Sequence, residues 1–500
     1  MNFISCLSWI KRGVAKPTPE KVHLSKDDLK KLINETKQDI KDVENENGDP
    51  TVQSVDESSF KEECALNDED ISLKYDLDNY DVDDSSNPMV NLADLTVFAN
   101  NEDDPYITLK DKEDDTDDDE DFHIRPTDNL VAVGRVHEDC SVLEIYVYNE
   151  EEDDLYVHHD TILPAYPLAL EWLNFDPSVE TPGNYIAVGD MTPVIRIWDI
   201  DVVDALEPAY TLGKTAKKKK KAKSKYCGHS EAVLDISWNK HIRHNLASGS
   251  ADYTTLIWDI SEEKPVTKFE KNTEKVQSVK WHPFESQILL TGSCDKTVRV
   301  FDCRNKDDTH KCWLLDGEIE KVIWDHFNPF FFLASTDKGS VYCLDARNDK
   351  PVYVIKAHFE AVTGLSLSTQ CAGCLVTAST DGTIKIWDIS NNHPDFIEEK
   401  KLNVGSIHAL ALSTDSPFLF AAGGDDRSNN FTVWDFGNMK SVTTRFAHYI
   451  NENLSKAQNE TELMETDLTT DEMQNLRLNN MEMGIKPKKK FRQFKSIKPK

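Results

Sequence analysis

The sequence predicts an all-β fold, a seven-bladed propeller, because two series of residues keep step along the chain. In the first series, Trp238, Trp281 and Trp324 lie 43 residues apart, and each closes a phrase of the form apolar-x-x-apolar-x-Trp. In the second series an aromatic or apolar residue precedes Asp, with spacings of 43, 43, 43 and 47 residues: Trp258-Asp259, Phe301-Asp302, Leu344-Asp345, Trp387-Asp388 and Trp434-Asp435. A period of about 40–45 residues with Trp-Asp pairs is typical of WD40 blades, each made of four short strands.

Seven copies of the inner-strand phrase, the last two with Leu in place of Trp, predict the number of blades. They end at Trp9, Trp172, Trp238, Trp281, Trp324, Leu367 and Leu412. The first copy lies at the N-terminus. Residues 3–10 are therefore predicted to form the innermost strand of a blade whose other strands are Leu130–Gly134, Val142–Tyr148 and Leu155–Ile162. Such a strand would close the ring with a chain end and remove the exposed edges of an open sheet.

A long acidic arm, residues 11–127, separates that first strand from the rest of its blade. Residues 1–127 hold 34 acidic and 14 basic residues, in a chain with 90 acidic and 57 basic residues and a net charge of −33. Ser25, with Asp28 three places on, predicts a helix near 26–40. The remaining arm is predicted to be mostly disordered, because it cannot bury enough apolar surface, and to attract basic proteins. Thr116, followed by acidic residues, is a candidate phosphorylation site.

The chain has two basic segments, one in a loop of the predicted propeller and one at the end of the tail. The propeller is predicted over residues 128–446, with a Lys-rich loop at 214–225, and a disordered tail over 447–500 ends in a basic stretch, 486–500. The candidate residues in the two segments are Lys217, Lys218, Lys219, Lys220, Lys221, Lys488, Lys489, Lys490 and Arg492. These segments suit nuclear or nucleolar localisation, contact with RNA phosphates, or both, and the sequence leaves that choice open.

Two blades carry polar residues that predict a buried hydrogen-bonded network. The first set is His229, Ser248, Asp252 and Trp258, and the second is His358, Thr377, Asp381 and Trp387. A Ser-His-Asp set also suggests a hydrolase, but no Gly-x-Ser-x-Gly elbow or oxyanion loop accompanies it. We therefore interpret both sets as structural networks that fix strand register.

The remaining motifs argue against catalysis, metals and membranes. No stretch approaches the roughly 18–20 apolar residues of a membrane span, and the N-terminus lacks a secretion signal, so a soluble intracellular protein is expected. Cys371 and Cys374 form the one close pair of the ten cysteines, and no second pair follows at metal-ligand spacing. Without a glycine-rich phosphate loop or a carboxylate pocket, we expect no cofactor and no enzymatic activity.

A set of segments, some of them outside the repeats, resembles the periodic tryptophan protein 1 family. These segments are CLSWIKRGVAKPTPEKVHLSKDDLKKLI, YDLDNYD, DPYITLKD, YVHHD, AYPLALEWLNFDPS and GNYIAVGDMTPVIRIWD, followed by the Lys run. The resemblance extends to about residue 446 and leaves the basic tail unmatched. It implies a non-enzymatic WD-repeat protein of the nucleus and nucleolus that acts in ribosome biogenesis and ribosomal RNA production. The implied partners are ribosome-assembly factors, precursor ribosomal RNA and, in animals, chromatin. We expect a monomer within larger complexes.

Two other functions stay open at this point. A chromatin module would bind a histone tail on the narrow face of the propeller, where acidic and aromatic side chains could cage a methyl-lysine. A ubiquitin-ligase substrate receptor would use Arg304 and Arg347, which follow Asp302 and Asp345 by two residues and resemble the adaptor-binding WD-x-Arg pattern.

Overall fold

Among the described residues, seven antiparallel sheets are arranged as the blades of one propeller, which confirms the predicted fold class. The computed structural model describes residues 2–22, 122–138, 140–178, 182–214, 228–304 and 310–447. By its internal contacts the chain divides into one unit of residues 1–20 and 121–500, which contains the propeller, and another of residues 21–120. The predicted helix near 26–40 lies outside the described residues.

Blades 1 to 7 follow one another along the chain. Blade 1 consists of β1 (Asn2–Ile10), β3 (Asn129–His137), β4 (Cys140–Asn149) and β5 (Asp154–Leu163). Blade 2 consists of β6 (Pro167–Phe175), β7 (Pro182–Asp190), β8 (Ile195–Asp199) and β10 (Tyr210–Leu212). Blade 3 consists of β11 (Val233–Trp238), β12 (Asn245–Ser250), β13 (Thr255–Asp259) and β14 (Lys264–Phe269). Blade 4 consists of β15 (Val276–Trp281), β16 (Ile288–Ser293), β17 (Thr297–Asp302) and β18 (His310–Leu314). Blade 5 consists of β19 (Ile319–Trp324), β20 (Phe331–Thr336), β21 (Ser340–Asp345) and β22 (Pro351–Lys356). Blade 6 is β23 (Gly364–Leu367), β24 (Cys374–Ala378), β25 (Thr383–Asp388) and β26 (Asp395–Lys401), and blade 7 is β27 (Ile407–Leu412), β28 (Leu419–Gly424) and β29 (Phe431–Asp435).

The N-terminal strand closes the ring as the sequence predicts. β1 pairs antiparallel with β3, with Trp9 opposite Val131, and packs between the inner strands β6 and β27. The Trp9 indole donates to the Ala411 carbonyl at 2.9 Å, and the Ser5 hydroxyl donates to the Pro167 carbonyl at 2.6 Å. Because these bonds reach both neighbouring blades, β1 joins the two ends of the ring.

Polar side chains on the inner strands connect one blade to the next. Asp235 accepts a hydrogen bond from the Val279 backbone N–H at 2.8 Å, and Ser278 accepts one from the Val322 N–H at 3.2 Å. In both accepting blades the inner strand has a register shift just before this polar residue, after Val233 and after Val276. A bulge bends the strand and redirects a side chain, so it turns these groups towards the next blade.

Blade 7 differs from the other six, because the described residues give it three strands and a helix. The helix α1 (Lys440–Arg445) follows β29, and its Val442 packs with Phe446, Phe418 and Phe436 in one buried cluster. Arg445 in its last turn pairs with Asp388 and Asp395 of blade 6. This helix therefore covers apolar surface of blades 6 and 7. Among the described residues no helix is long and apolar enough to cross a membrane.

The two ends of the acidic arm meet at the propeller. The Ile124 N–H donates to the Pro17 carbonyl at 2.8 Å, and Ile124 is buried in the apolar cluster of blades 1 and 2. The Glu20 N–H, in the short strand β2 (Glu20–Lys21), donates to the Asp201 carbonyl at 2.8 Å, next to β9 (Val202–Val203). Residues 11–20 and 122–127 therefore pack on blades 1 and 2.

Candidate functional site

A cavity of about 280 Å³ lies on the propeller axis, where the inner strands converge. Its wall combines apolar side chains, among them Leu7, Trp9 and Trp172, with a group of charged ones. The charged side chains are Glu171, Asp235, Lys240, Lys280 and Lys321. A concave site with a mixed lining of this kind is a common binding geometry.

The two carboxylates of the cavity are already engaged by the protein. Asp235 accepts from Ser278 and the Val279 N–H, and Glu171 accepts from the Trp238 N–H at 3.1 Å. The Lys280 ammonium lies 3.9 Å from Asp235 and 4.0 Å from Glu171. One lysine is thus shared between the two acids.

Burial and pairing act on these groups in opposite directions. Burial raises the pKa of Glu171, although Lys280 opposes the rise. Burial would also raise the pKa of Asp235, but Lys280, Lys321 and the hydrogen bonds that Asp235 accepts lower it overall. For Lys280, burial alone would lower the pKa, but the two carboxylates raise it. Asp235 and Lys280 are therefore charged at neutral pH.

This cluster was not predicted from the sequence, because the inner-strand phrase was used only to count strands. Asp235, Lys280 and Lys321 occupy the variable positions of that phrase, between its apolar residues. The spacing that places apolar residues in the blade also places the intervening residues on the axis. Charged residues at those positions were the available signal.

In blade 3 the structure brings the four network residues together. The Trp258 indole donates to the Ser248 hydroxyl at 2.8 Å, and that hydroxyl lies 2.7 Å from His229 Nε2. His229 Nδ1 lies 3.1 Å from the Asp252 carboxylate, which also accepts from Thr254 at 2.6 Å. With the imidazole proton on Nδ1, every donor in the chain meets an acceptor. Burial alone would raise the pKa of Asp252, but the bonds from His229 and Thr254 hold it well below its usual range.

Blade 6 repeats the same chain with Thr in place of Ser. Trp387 donates to the Thr377 hydroxyl at 3.1 Å, His358 Nε2 lies 2.9 Å from that hydroxyl, and His358 Nδ1 lies 3.1 Å from Asp381. Burial lowers the pKa of His358, and Asp381 only partly opposes it. The imidazole is therefore neutral at pH 7.

Neither network is arranged for nucleophilic catalysis. Ser248 and Thr377 are fully buried, so a substrate carbonyl has no approach to either hydroxyl. Each hydroxyl already bonds an indole and an imidazole. A nucleophile needs an open approach for the substrate and a nearby oxyanion site. This geometry therefore fixes the register of the strands and does not suit nucleophilic catalysis.

Blade 4 has lost much of the network. Phe301 stands where blade 3 has Trp258, and the Thr291 hydroxyl is buried without a hydrogen-bond partner in the part of the chain that the structure describes. Asn272, 43 residues after His229, accepts from Arg299 in place of an imidazole. Polar atoms without partners destabilise a fold, so blade 4 depends more on apolar packing.

Each of the two arginines of the adaptor pattern binds the carboxylate of the Asp two residues before it, at the end of a strand. Arg304 donates to Asp302 through Nε at 2.9 Å and Nη2 at 2.7 Å. Arg347 makes the same two bonds to Asp345, each at 2.9 Å, and lies 4.2 Å from the centre of the Phe330 ring. An adaptor would have to share or displace these bonds.

Several candidate residues lie outside the described residues. They are Thr116, Lys217, Lys218, Lys219, Lys220, Lys221, Lys488, Lys489, Lys490 and Arg492. Within the described ranges, no group of three or more His, Cys, Asp or Glu side chains could hold a metal ion. Cys371 and Cys374 are buried free thiols, and their mutual hydrogen bond and burial raise the pKa of Cys374.

Comparison with known proteins shows which family the chain belongs to. The WD domain, G-beta repeat family matches residues 220–259, 263–302 and 349–388. The first range includes β11 to β13 of blade 3, the second runs from β14 of blade 3 into blade 4, and the third runs from β22 of blade 5 into blade 6. A Drosophila melanogaster protein named Periodic tryptophan protein 1 homolog is 34% identical over 432 residues, 85% of this chain and 92% of that protein. The chain belongs to the periodic tryptophan protein 1 family.

Two further relatives fit that family. An uncharacterized WD repeat-containing protein of Schizosaccharomyces pombe is 35% identical over 484 residues, 91% of this chain and 93% of its own length. The Saccharomyces cerevisiae Periodic tryptophan protein 1 is 31% identical over 318 residues, 52% of this chain and 55% of its own length. The resemblance stated from the sequence segments is therefore confirmed at the level of the family.

Proposed function

We propose that this protein is a non-enzymatic scaffold of ribosome biogenesis that acts in the nucleus and nucleolus, in ribosomal RNA production and large-subunit precursor assembly. The observation that carries this proposal is family similarity over 85–91% of the chain, beyond the WD40 repeats themselves. Many unrelated proteins share WD40 repeats, so the repeats alone would support only a propeller. The resemblance of the non-repeat segments implies the ribosomal role.

The architecture suits a scaffold. A closed ring presents two faces and a rim of fixed geometry, and both His-containing networks are used inside blades. The sequence adds an acidic arm for basic proteins and two basic segments for RNA phosphates or import receptors. The proposed partners are ribosome-assembly factors and precursor ribosomal RNA.

Sedimentation of the tagged full chain from nuclear extract tests this proposal. We expect the protein in the fractions that contain large-subunit precursors, and we expect RNase to release it to the top of the gradient. A protein that stays at the top before RNase contradicts the proposal. A protein recovered with nucleosomes regardless of RNase contradicts it in favour of the chromatin alternative.

The Lys-rich loop allows import and RNA contact to be separated. Lys217–Lys221 would be replaced by Ser in a chain carrying a heterologous import signal, with Lys264→Ser and Lys268→Ser on the exposed outer strand β14 as the matched control. If the run contacts RNA, the variant enters the nucleus, fails to join precursors and shows a shallower salt dependence of RNA affinity. If the run serves import alone, particle association is restored. Full association and import without the added signal would contradict both roles.

A further inference from the structure

We propose that the axial cavity binds an anionic side chain, a carboxylate or a phosphate, presented by an acidic segment of a partner protein. This inference does not depend on the ribosomal role. It follows from the charges on the cavity wall, where positive side chains outnumber negative ones. Three ammonium groups, from Lys240, Lys280 and Lys321, face two carboxylates, from Glu171 and Asp235.

Among the described residues, two of the three ammonium groups have no carboxylate at ion-pair distance. Lys280 is shared by both carboxylates, at 3.9 and 4.0 Å. Within the described part of the chain, no carboxylate lies within 4.0 Å of the Lys240 or Lys321 ammonium. Asp235 also accepts two hydrogen bonds from blade 4, so its capacity is largely used. The cavity therefore has a positive excess that an incoming anion would neutralise.

The shape of the site strengthens this field. The lysines lie in a concave wall that also carries Leu7, Trp9 and Trp172, and apolar walls around a charge reduce screening by water. A cation entering the same space would meet the excess of positive charge. The cavity is consequently a poor cage for methyl-lysine, and the histone-tail alternative would need another part of the surface.

The geometry favours a peptide over a nucleic acid. The cavity, at about 280 Å³, is near the small end of ligand pockets. An acidic or phosphorylated side chain projects from its backbone and can enter such a space end-on. An internal RNA phosphate is joined to a sugar on both sides, so it presents a bulky chain and not a free end.

Fluorescence anisotropy with labelled peptides and the full-length protein tests the site. The probes are a hexaglutamate peptide, a phosphoserine peptide, a hexaglutamine peptide and a uridine oligonucleotide of the same length. We expect saturable binding of one or both anionic peptides with a Kd below about 1 mM and weaker binding at higher salt. The ratio of the two affinities distinguishes carboxylate from phosphate. Binding of neither peptide, or equal binding of hexaglutamine, would overturn the proposal.

Charge-neutralising variants locate the binding. Lys321→Gln and Lys240→Gln should each weaken the preferred peptide about tenfold, whereas Lys264→Gln on the exposed outer strand should not change it. Because Lys240 is exposed in a loop, its replacement does not threaten the fold, and a melting temperature is measured for each variant. Wild-type affinity in both cavity variants would overturn the assignment. So would an oligonucleotide that binds tighter than the peptides and loses affinity in the same two variants.

Discussion

Blades 3 and 4 are neighbours with the same spacing, yet they stabilise themselves differently. Blade 3 connects Trp258, Ser248, His229 and Asp252 in one chain of hydrogen bonds. Blade 4 replaces the indole with Phe301, which stacks with Phe269 at 4.5 Å between ring centres, and its Thr291 hydroxyl has no partner among the described residues. The propeller therefore tolerates a blade without the network. What the network contributes is local stability and register, and its loss is offset by apolar packing.

The largest effect should come from removing the central member of the blade 3 chain. His229→Ala leaves the buried Ser248 hydroxyl without its acceptor and removes one hydrogen bond from Asp252. It also opens a cavity, because His229 is fully buried. We expect a loss of about 2–4 kcal/mol in the free energy of unfolding, measured by urea denaturation. As a control, His393→Ala removes an imidazole that is 83% exposed and should change stability by less than about 0.5 kcal/mol. Similar losses in the two variants would contradict a structural role for the network.

A double-mutant cycle in blade 6 tests whether its residues act together. His358→Ala and Asp381→Ala should each destabilise the propeller by about 1–3 kcal/mol. The double variant should cost less than the sum, by roughly 1 kcal/mol, because the two side chains share one hydrogen bond of 3.1 Å. Strict additivity would mean that no such chain links them.

Acid should erase part of this stability in both kinds of blade. Burial alone would raise the pKa of Asp381, but hydrogen bonds from Thr383 and His358 lower it below 3.8. Burial alone would also raise the pKa of Asp295 in blade 4, but Thr297, Thr273 and Arg299 lower it below 3.8. A lowered folded-state pKa means that the contribution is present above about pH 4 and is lost as the pH falls through the folded value. Asp381→Asn and Asp295→Asn should each cost about 1–2 kcal/mol at pH 7, and the gap to the wild type should close towards pH 3. A pH-independent gap would show that neither carboxylate acts through its charge.

The ring could be predicted from the sequence because each repeat places its buried residues at the same spacing. Ile4 and Trp9 repeat the inner-strand phrase of the later blades, and both are buried in β1. That repetition allowed the pairing with β3 to be predicted across the long insertion. The members of the networks could be named for the same reason. A hydroxyl, an imidazole and a carboxylate recur at fixed distances from Trp258 and from Trp387.

Other features escaped because they depend on contacts between distant residues. Val442, Thr443 and Thr444 are β-branched and favour a strand, yet they lie in α1, because Val442 and Phe446, four residues apart, bury together against Phe418. The axial lysines come from different blades, so no local pattern joins them. The predictions for residues 23–121 of the arm, 215–225 of the Lys-rich loop and 448–500 of the tail remain predictions, since those residues lie outside the described ranges.

The contrast between a blade with the network and a blade without it can be measured most directly with one pair of isosteric substitutions, in blades 6 and 4. Thr377→Val and Thr291→Val remove equivalent buried hydroxyls from blades 6 and 4 without a change in volume. Thr377→Val should cost about 1–3 kcal/mol, because the Trp387 indole and the His358 imidazole both lose a partner. Thr291→Val should be neutral or stabilising, because the Thr291 hydroxyl is buried without a partner among the described residues. Equal losses in the two variants, measured by urea denaturation at pH 7, would contradict the account.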